Sequence, residues 1–236
     1  MKQTNSKFRT RMVSLFGAIL LCAGVVLNPL QAATVTVNGY TGAAIQAAID
    51  AAGDRGTVIF PGGTYLVSYV ILVNHNVTLK AADGATVILK CTAANQTEFW
   101  KTNNPSPTAS GAYKYMISVI HDNDAYISSY VPSTASFDDV KIIGINLVGI
   151  VGDANGVGGF NVCHGTIAYL EDCSVTDAFV GVVVNESHVT IKDIEIGGAS
   201  WGGINVYNKD KGTSLTIEDY AYNGIHPSAI YCDGSA

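Results

Sequence analysis

The chain is poor in positive charge, and part of what it has lies at its beginning. Only 13 of the 236 residues are lysine or arginine, against 19 aspartates and glutamates. Four of the basic residues fall within the first 32 residues, which contain no acid, so the formal net charge changes from −6 for the whole chain to −10 beyond that point. Such an acidic chain is not expected to bind nucleic acid or anionic membrane surfaces, and it offers no general attraction to a polyanion.

Cysteine is also scarce, and its spacing excludes two common uses. No C-x-x-C pair occurs, which argues against a zinc site. Four thiols in the 204 residues that follow residue 32 are too few for a disulfide scaffold. Buried free thiols are the favoured interpretation and a single disulfide is the alternative, with the pairing left open among Cys91, Cys163, Cys173 and Cys232.

Long apolar runs are missing outside the N-terminus. The first 33 residues combine four basic residues, an apolar run from Val13 to Leu27 and small residues at Ala32 and Ala33, which is typical of a secretory signal peptide cleaved after Ala32. The run is too short for a membrane span. We therefore expect a signal peptide at 1–32, a single domain at 33–236, and a secreted protein, extracellular or at the cell surface, with the periplasm as an alternative.

Helical periodicity is nearly absent, with one exception early in the chain. The stretch AAIQAAIDAA predicts a helix from Ala43 to Ala52, with Thr41 as its N-cap and Ile45 and Ile49 on one face. It is followed at once by GTVIFPGGTYLVS, which predicts a strand, a tight turn and a second strand. One short helix therefore precedes a chain that is otherwise made of strands.

Three segments of the C-terminal half align with one another. They are TIAYLEDCSVTDAFVGVVVNES, HVTIKDIEIGGASWGGINVYNK and SLTIEDYAYNGIHPSAIYCDGS. One apolar position recurs in the first half of each copy and another in the second half, and an aspartate follows the first. The first set is Leu170, Ile191 and Ile217, the second is Val182, Ile204 and Ile230, and the aspartates are Asp172, Asp193 and Asp219. A looser earlier copy has Ile142 and Phe160 at the equivalent positions.

These copies predict a parallel β-solenoid. They are offset by 21 to 26 residues, hairpin turns between paired strands are scarce, and the leucine-rich-repeat signature is absent. A solenoid stacks each apolar strand on its own copy, about 4.8 Å away. Both sets of apolar residues should therefore face inward, and the early helix should cover the first coil as a cap.

The stretch AIQAAIDAAGDRGTVIFPGGTYLVS and the later NVTLKAADGATVI resemble the N-terminal cap and first coils of the pectate lyase superfamily, and YMISVI at 115–120 is similar to a second-coil strand there. The resemblance implies an all-β fold, a right-handed parallel β-helix of about seven coils with a short N-terminal capping helix. It is specific for fold and not for chemistry, because this superfamily includes lyases, hydrolases, phage tail spikes and cell-surface repeat proteins without a known reaction.

The resemblance also implies where a substrate would bind, since the groove in this superfamily usually runs along the outside of the third strand of each coil. With Ile204 and Val206 inward, the residues that alternate with them face outward. Aromatic and amide side chains there suit sugar rings, and a featureless solenoid surface is the alternative. The predicted substrate-binding residues are Trp201, Asn205, Tyr207, Tyr231, Asp233 and Asn185, and their equivalents in neighbouring coils include Asn161, Cys163 and Val183.

A lyase of the pectate type needs a basic residue as proton acceptor and usually Ca²⁺. Arg55 is the only arginine beyond residue 32 and is expected beside the cap, away from a central groove. Lys192 falls in a column with Glu171 and Glu218, whose negative charges should raise its pKa, the wrong direction for a base. An exposed ladder of alternating charge is the favoured interpretation of this column. Lys209 and Lys211, in the loop after the third strand, stay open as alternatives for the base.

The aspartate column at 172, 193 and 219 admits two interpretations. Stacked carboxylates could hold calcium, but each lies at a bend, where aspartate is a common turn residue, and the structural interpretation is favoured. The acidic stretch HDNDA, with Asp122 and Asp124, is a better place for a hard cation, although a solvated turn is favoured there too. We predict no resident metal or cofactor, with Ca²⁺ involved only if the protein is a lyase.

A polygalacturonase-like pattern is present only in fragments, and chance is the favoured explanation. The order of its parts is right, but N-x-D and R-x-K are missing and a cysteine replaces the first glycine of G-H-G. The fragments are Asn123 with Asp124, Asp138 with Asp139, and His164 with Gly165.

The sequence therefore predicts a polysaccharide-associated protein that binds or scaffolds, with enzyme activity left open and catalytic residues unknown. The alternative is a polysaccharide lyase or glycoside hydrolase acting on an acidic polysaccharide such as pectin. The last coil stops where its third strand ends, without a cap, so we predict either a C-terminally incomplete domain or pairing of that edge with another subunit.

Overall fold

The computed structural model describes residues 32–95, 98–99, 114–120, 137–150, 156–163, 166–208, 213–225 and 227–234. Apart from Ala32, the predicted signal peptide lies outside these residues. They form the helix α1 (Gly42–Ala52) and sixteen strands. The strands are β1 (Thr34–Thr36), β2 (Gly56–Phe60), β3 (Gly63–Val67), β4 (Ile71–Val73), β5 (Val77–Ala81), β6 (Val87–Cys91), β7 (Tyr115–Val119), β8 (Val140–Ile143), β9 (Ile145–Val148), β10 (Gly158–Cys163), β11 (Ile167–Thr176), β12 (Val180–Asn185), β13 (His188–Gly197), β14 (Gly202–Asn208), β15 (Ser214–Asn223) and β16 (Ile230–Gly234).

The helix forms where the sequence predicts it. Thr41 has extended backbone angles, and its hydroxyl accepts a hydrogen bond of 3.2 Å from the Ala44 amide, which satisfies one of the free donors of the first turn. Ile45 and Ile49 are fully buried on the face that packs against β1 to β4. The prediction of a short capping helix is confirmed.

Every strand pair in the described part of the chain is parallel. One sheet contains two stacks, β1-β2-β5-β8-β11-β13-β15 and β3-β6-β9-β11-β13-β15, which merge because the last three strands run through both. The other sheet is β4-β7-β10-β12-β14-β16. The fold is all-β and solenoid-like, with curled parallel sheets around a continuous apolar core.

Strand register matches the repeats read from the sequence. Leu170 lies opposite Ile191, which lies opposite Ile217, and Val182, Ile204 and Ile230 form a second column. The earlier copy also aligns, with Ile142 beside Leu170 and Phe160 beside Val182. The predicted columns are confirmed as strand neighbours.

Burial follows these columns except at their last members. Leu170, Ile191, Val182 and Ile204 are fully buried, whereas Ile217 is half-buried and Ile230 is 44% exposed. The expectation that all six would be buried is therefore wrong at Ile230. The reason is that no described strand pairs with the far side of β15 or β16, so solvent reaches the core from that end.

The merged strands bend at one residue in each turn of the chain. Asp172, Asp193 and Asp219 have φ angles of 52°, 51° and 57°, and Gly144 occupies the equivalent place with 71°. This left-handed conformation is tolerated by aspartate and by glycine and disfavoured for most other residues. The aspartates thus lie at bends, as predicted, and their backbone conformation gives a sufficient reason for the column.

A glycine column faces the aliphatic side chains across the core. The column consists of Gly159 in β10, Gly181 in β12 and Gly203 in β14. Each glycine directly precedes a core residue that lies opposite its equivalent in the neighbouring strand. A methyl group at Gly181 would collide with Ile196, and one at Gly159 would collide with Val175. The absence of side chains lets the two sheets approach closely at this level of the core.

The first sheet contains two stacks of strands and the second sheet forms a third. The first strand of each stack is paired on its N-terminal side by a different group. β1 pairs with β2, and the Leu66 amide of β3 donates to the Tyr40 carbonyl at 2.9 Å. At β4, the Gln46 side chain of α1 accepts from the Leu72 amide at 2.9 Å and donates to the Leu72 carbonyl at 3.0 Å, so its amide takes the place of a neighbouring strand. This end of the solenoid offers little free backbone for pairing.

We expect Gln46→Met to destabilise the protein and to promote its association. Methionine has a similar length and helix propensity but makes none of the hydrogen bonds of Gln46. Three bonds of about 0.5–1.5 kcal/mol each are lost, the two to Leu72 and one of 3.0 Å to Asp50, which should lower the free energy of unfolding by about 1.5–4.5 kcal/mol, measured by denaturant unfolding. Light scattering should detect association through β4. Ala51→Met, on the exposed face of α1, is the control; equal behaviour of the two variants would contradict the role of Gln46.

Candidate functional site

The predicted residues of the third-strand face lie in neighbouring columns, as the repeats imply. Asn205 is paired with Val183 on one side and Tyr231 on the other. Tyr207 is paired in the same way with Asn185 and Asp233. The columns continue to Asn161 and Cys163 on β10.

Only part of this face is open. Trp201 is 48% and Tyr231 45% exposed, and Tyr207 is half-buried, but Asn205 and Asn185 are only 2% and 9% exposed. The expectation of an open face is therefore wrong at the two asparagines. The side chain of Asp233 lies outside what the structure describes.

The buried part of the face is a polar ladder that bonds to itself. The Asn161 side-chain amide donates to the Ser118 hydroxyl at 3.4 Å, and the Cys163 thiol donates to Asn161 Oδ1 at 3.1 Å. Burial raises the pKa of the Tyr115 hydroxyl, and the nearby Cys163 and Tyr207 raise it further. These polar side chains are bonded within the protein rather than to solvent, which accounts for their low exposure.

Two amide oxygens of the same face are poorly satisfied. Oδ1 of Asn185 and Oδ1 of Asn205 are buried and find no hydrogen-bond partner in the described part of the chain. The Asn205 oxygen lies beside Gly202, where a methyl group would approach to 3.1 Å. A buried acceptor without a partner costs about 1–3 kcal/mol, so neither oxygen adds a stabilising hydrogen bond within the described residues.

Trp201, the most exposed aromatic residue of this face, lies at its edge. Trp201 directly precedes β14 and stacks on Phe179, one turn of the chain away, with ring centroids 5.8 Å apart and planes 16° from parallel. The backbones hold this spacing, since the Trp201 amide donates to the Phe179 carbonyl at 2.8 Å. We call Phe179 and Trp201 the aromatic platform.

Sequence reasoning missed Phe179 as a member of this site. A signal was present, because FVG at 179–181 and WGG at 201–203 occupy the same place in successive repeats, 22 residues apart. Strand pairing at a one-repeat offset then brings the two rings side by side.

Two of the basic residues weighed for catalysis, Arg55 and Lys192, form ion pairs, whereas Lys209 and Lys211 lie outside the described residues. Nη2 of Arg55 donates to both carboxylate oxygens of Asp138, at 2.9 and 3.1 Å, in the turn region next to the helix end. Asp138 is thus an ion-pair partner of this arginine. The other parts of the polygalacturonase-like pattern, and the acidic stretch HDNDA, lie outside the described residues.

Lys192 is held in its charged form. Its amino group lies 2.7 Å from Glu171 Oε1, and this hydrogen bond raises the pKa of Lys192 and lowers that of Glu171. Glu218 is the strand partner on the other side. The predicted direction of the pKa shift is confirmed, and it disfavours Lys192 as a base.

A second concavity lies on the other sheet, beside the bend at Gly144. It encloses about 540 Å³ between the turn at Asp83 and the bend at Asp172. Its polar groups largely pair with one another: Lys80 lies 3.3 Å from Asp83, and Ser174 donates to Asn146 at 2.7 Å. It offers few unsatisfied groups to a ligand.

The thiols are free wherever the chain is described. Cys91, Cys163 and Cys173 are buried, as predicted, but the prediction is wrong at Cys232, which is exposed because β16 is the last described strand of its sheet. Burial raises the pKa of the Cys173 thiol to about 12, so it is unreactive at neutral pH. Among the described residues no three or more histidines, cysteines, aspartates or glutamates are grouped to hold a metal ion.

No helix in the described ranges is long and apolar enough to cross a membrane. The chain matches no family model, no curated protein and no solved structure.

We expect Asn205→Val to stabilise the protein by about 1 kcal/mol. Valine already fills this column at position 183, and the change removes a buried acceptor without a partner. Asn161→Val, in the same column, should destabilise it, because Asn161 makes two side-chain hydrogen bonds that valine cannot make. Thermal unfolding of both variants tests this pair, and shifts of the same sign would contradict the assignment.

Proposed function

We propose that the chain is a right-handed parallel β-helix of the pectate lyase type. Three findings support this fold: parallel pairing of all described strands, a left-handed bend at the same place in successive turns, and a capping helix over the first turn. A right-handed path is the rule for parallel strands connected within one sheet system.

We propose further that the protein is secreted or displayed at the cell surface and binds or scaffolds polysaccharide. The single observation that carries this proposal is the aromatic platform, in which Trp201 is 48% exposed, on the same sheet as Tyr231, which is 45% exposed.

The chemistry of the platform suits a sugar ring. Flat aromatic surfaces pack against the apolar C–H faces of sugars, and tyrosine adds a hydroxyl that hydrogen-bonds at the rim. Tyr231, 45% exposed and paired in register with Asn205, supplies such a group on the same sheet.

Binding rather than cleavage is favoured by the state of the basic residues. The only arginine beyond residue 32 forms an ion pair with Asp138, and Lys192 is held protonated by Glu171. Neither is free to accept a proton. Incubation of the protein with uronate and neutral polysaccharides, with and without Ca²⁺, should therefore release neither unsaturated nor reducing ends above background.

We expect Trp201→Ala to weaken retention of the protein on polysaccharide at least about tenfold, which corresponds to about 1.4 kcal/mol. Affinity electrophoresis in gels containing xylan, galactan, mannan, pectin or polygalacturonate measures it. Leu66→Ser, which changes an apolar residue of similar exposure near the cap, is the control and should have no effect. If Trp201→Ala and Leu66→Ser are folded and retained equally, the platform is not the binding site.

A further inference from the structure

We propose that the polysaccharide bound at the aromatic platform is uncharged along its chain, and that uronate polymers are rejected. This inference rests on the proposed function, because it names the class of glycan for the same site. It is carried by the distribution of charge over the described residues.

Most positive side chains of the described part of the chain are already matched by a carboxylate. A uronate carboxylate would have to compete with these protein carboxylates for each cation, and bound sugars would gain little from them. The pairs are Arg55 with Asp138 at 2.9 Å, Lys80 with Asp83 at 3.3 Å, Lys141 with Asp139 at 2.9 Å, and Lys192 with Glu171 at 2.7 Å.

The charged residues to consider beside the platform are Asp177 and, farther along the same sheet, Lys114. Asp177 lies two residues before Phe179. Its carboxylate packs against Gly198, because a methyl group added at Gly198 would lie 2.7 Å from Asp177 Oδ1. Lys114, which directly precedes β7, is three strands from β14 in the sheet order. Three strand spacings are about 14 Å, beyond the screening length of about 8 Å at physiological ionic strength.

The paired strands beside the platform offer no cation either. The only charged residue in their columns is acidic: one column is Ser118, Asn161, Val183, Asn205 and Tyr231, and the other is Cys163, Asn185, Tyr207 and Asp233. Lys209 and Lys211, which follow β14 in the chain, lie outside the described residues. A carboxylate needs a cation or a cluster of N–H donors to replace its hydration. With a net charge of −10 beyond residue 32, the protein as a whole also repels a polyanion.

The test compares one polymer in two charge states. Retention by affinity electrophoresis is measured on highly methyl-esterified homogalacturonan and on the same preparation after de-esterification, alongside neutral xylan, galactan and mannan. The best-retained polysaccharide should be uncharged, and the esterified form should be retained at least tenfold better than the de-esterified form. Raising the ionic strength from about 0.01 to 0.15 M shortens the screening length from about 30 to 8 Å, so it should narrow this difference and leave neutral glycans unaffected.

Asp177→Asn is the matched variant. Asparagine tolerates the left-handed backbone at this position (φ 54°), so the fold should persist. The variant should improve retention of the de-esterified polymer and leave retention of the neutral glycans unchanged.

The outcomes separate this inference from the function on which it rests. If a de-esterified uronate polymer is retained best, and Trp201→Ala abolishes that retention, the inference is overturned while the platform stands as a binding site. If no polysaccharide is retained, or Trp201→Ala changes nothing, the proposed function fails and the inference fails with it.

Discussion

In-register hydrogen bonding between successive parallel strands is the constraint on which the rest of the molecule depends. Each strand satisfies its backbone groups through the strands on either side, so the first strand of every stack needs a substitute partner. The N-terminus supplies three different substitutes: β1, the backbone of Tyr40 and the side-chain amide of Gln46. The helix is therefore more than an apolar cover, because one of its side chains completes a sheet.

The cross-section of the solenoid follows from a few backbone positions. The left-handed residues at 144, 172, 193 and 219 turn the chain at the same place in four successive turns, and the glycines at 159, 181 and 203 let the opposite sheet approach. Because both features repeat with the strands, side chains at equivalent positions are stacked. The pairing of Phe179 with Trp201 is a direct result of that stacking.

The repeated apolar positions could be predicted from the sequence because they depend only on local alternation and on the offset between copies. Thr41 as N-cap, Ile45 and Ile49 as the buried helix face, and the column from Leu170 to Ile217 are all of this kind. The glycines at 159, 181 and 203 and the glutamine at 46 are visible in the sequence, but their roles are not. The role of the glycines depends on which side chains lie across the core, and that of Gln46 depends on which strand lies at the sheet edge. Burial of Asn185 and Asn205 could not be read from alternation, which places a side chain on the outer face without fixing how much solvent reaches it.

The offset between Val182 and Ile204 is 22 residues, and each strand contacts its neighbours along the stack far more than any distant part of the chain. A segment of that length beginning and ending at equivalent positions is a complete structural unit. If such a segment is removed or duplicated, the strands that flank it still pair with strands of the same residue pattern as before. Such a protein can change length during evolution in steps of one whole turn, whereas the loss of a single residue within a strand would shift every side chain after it to the wrong face.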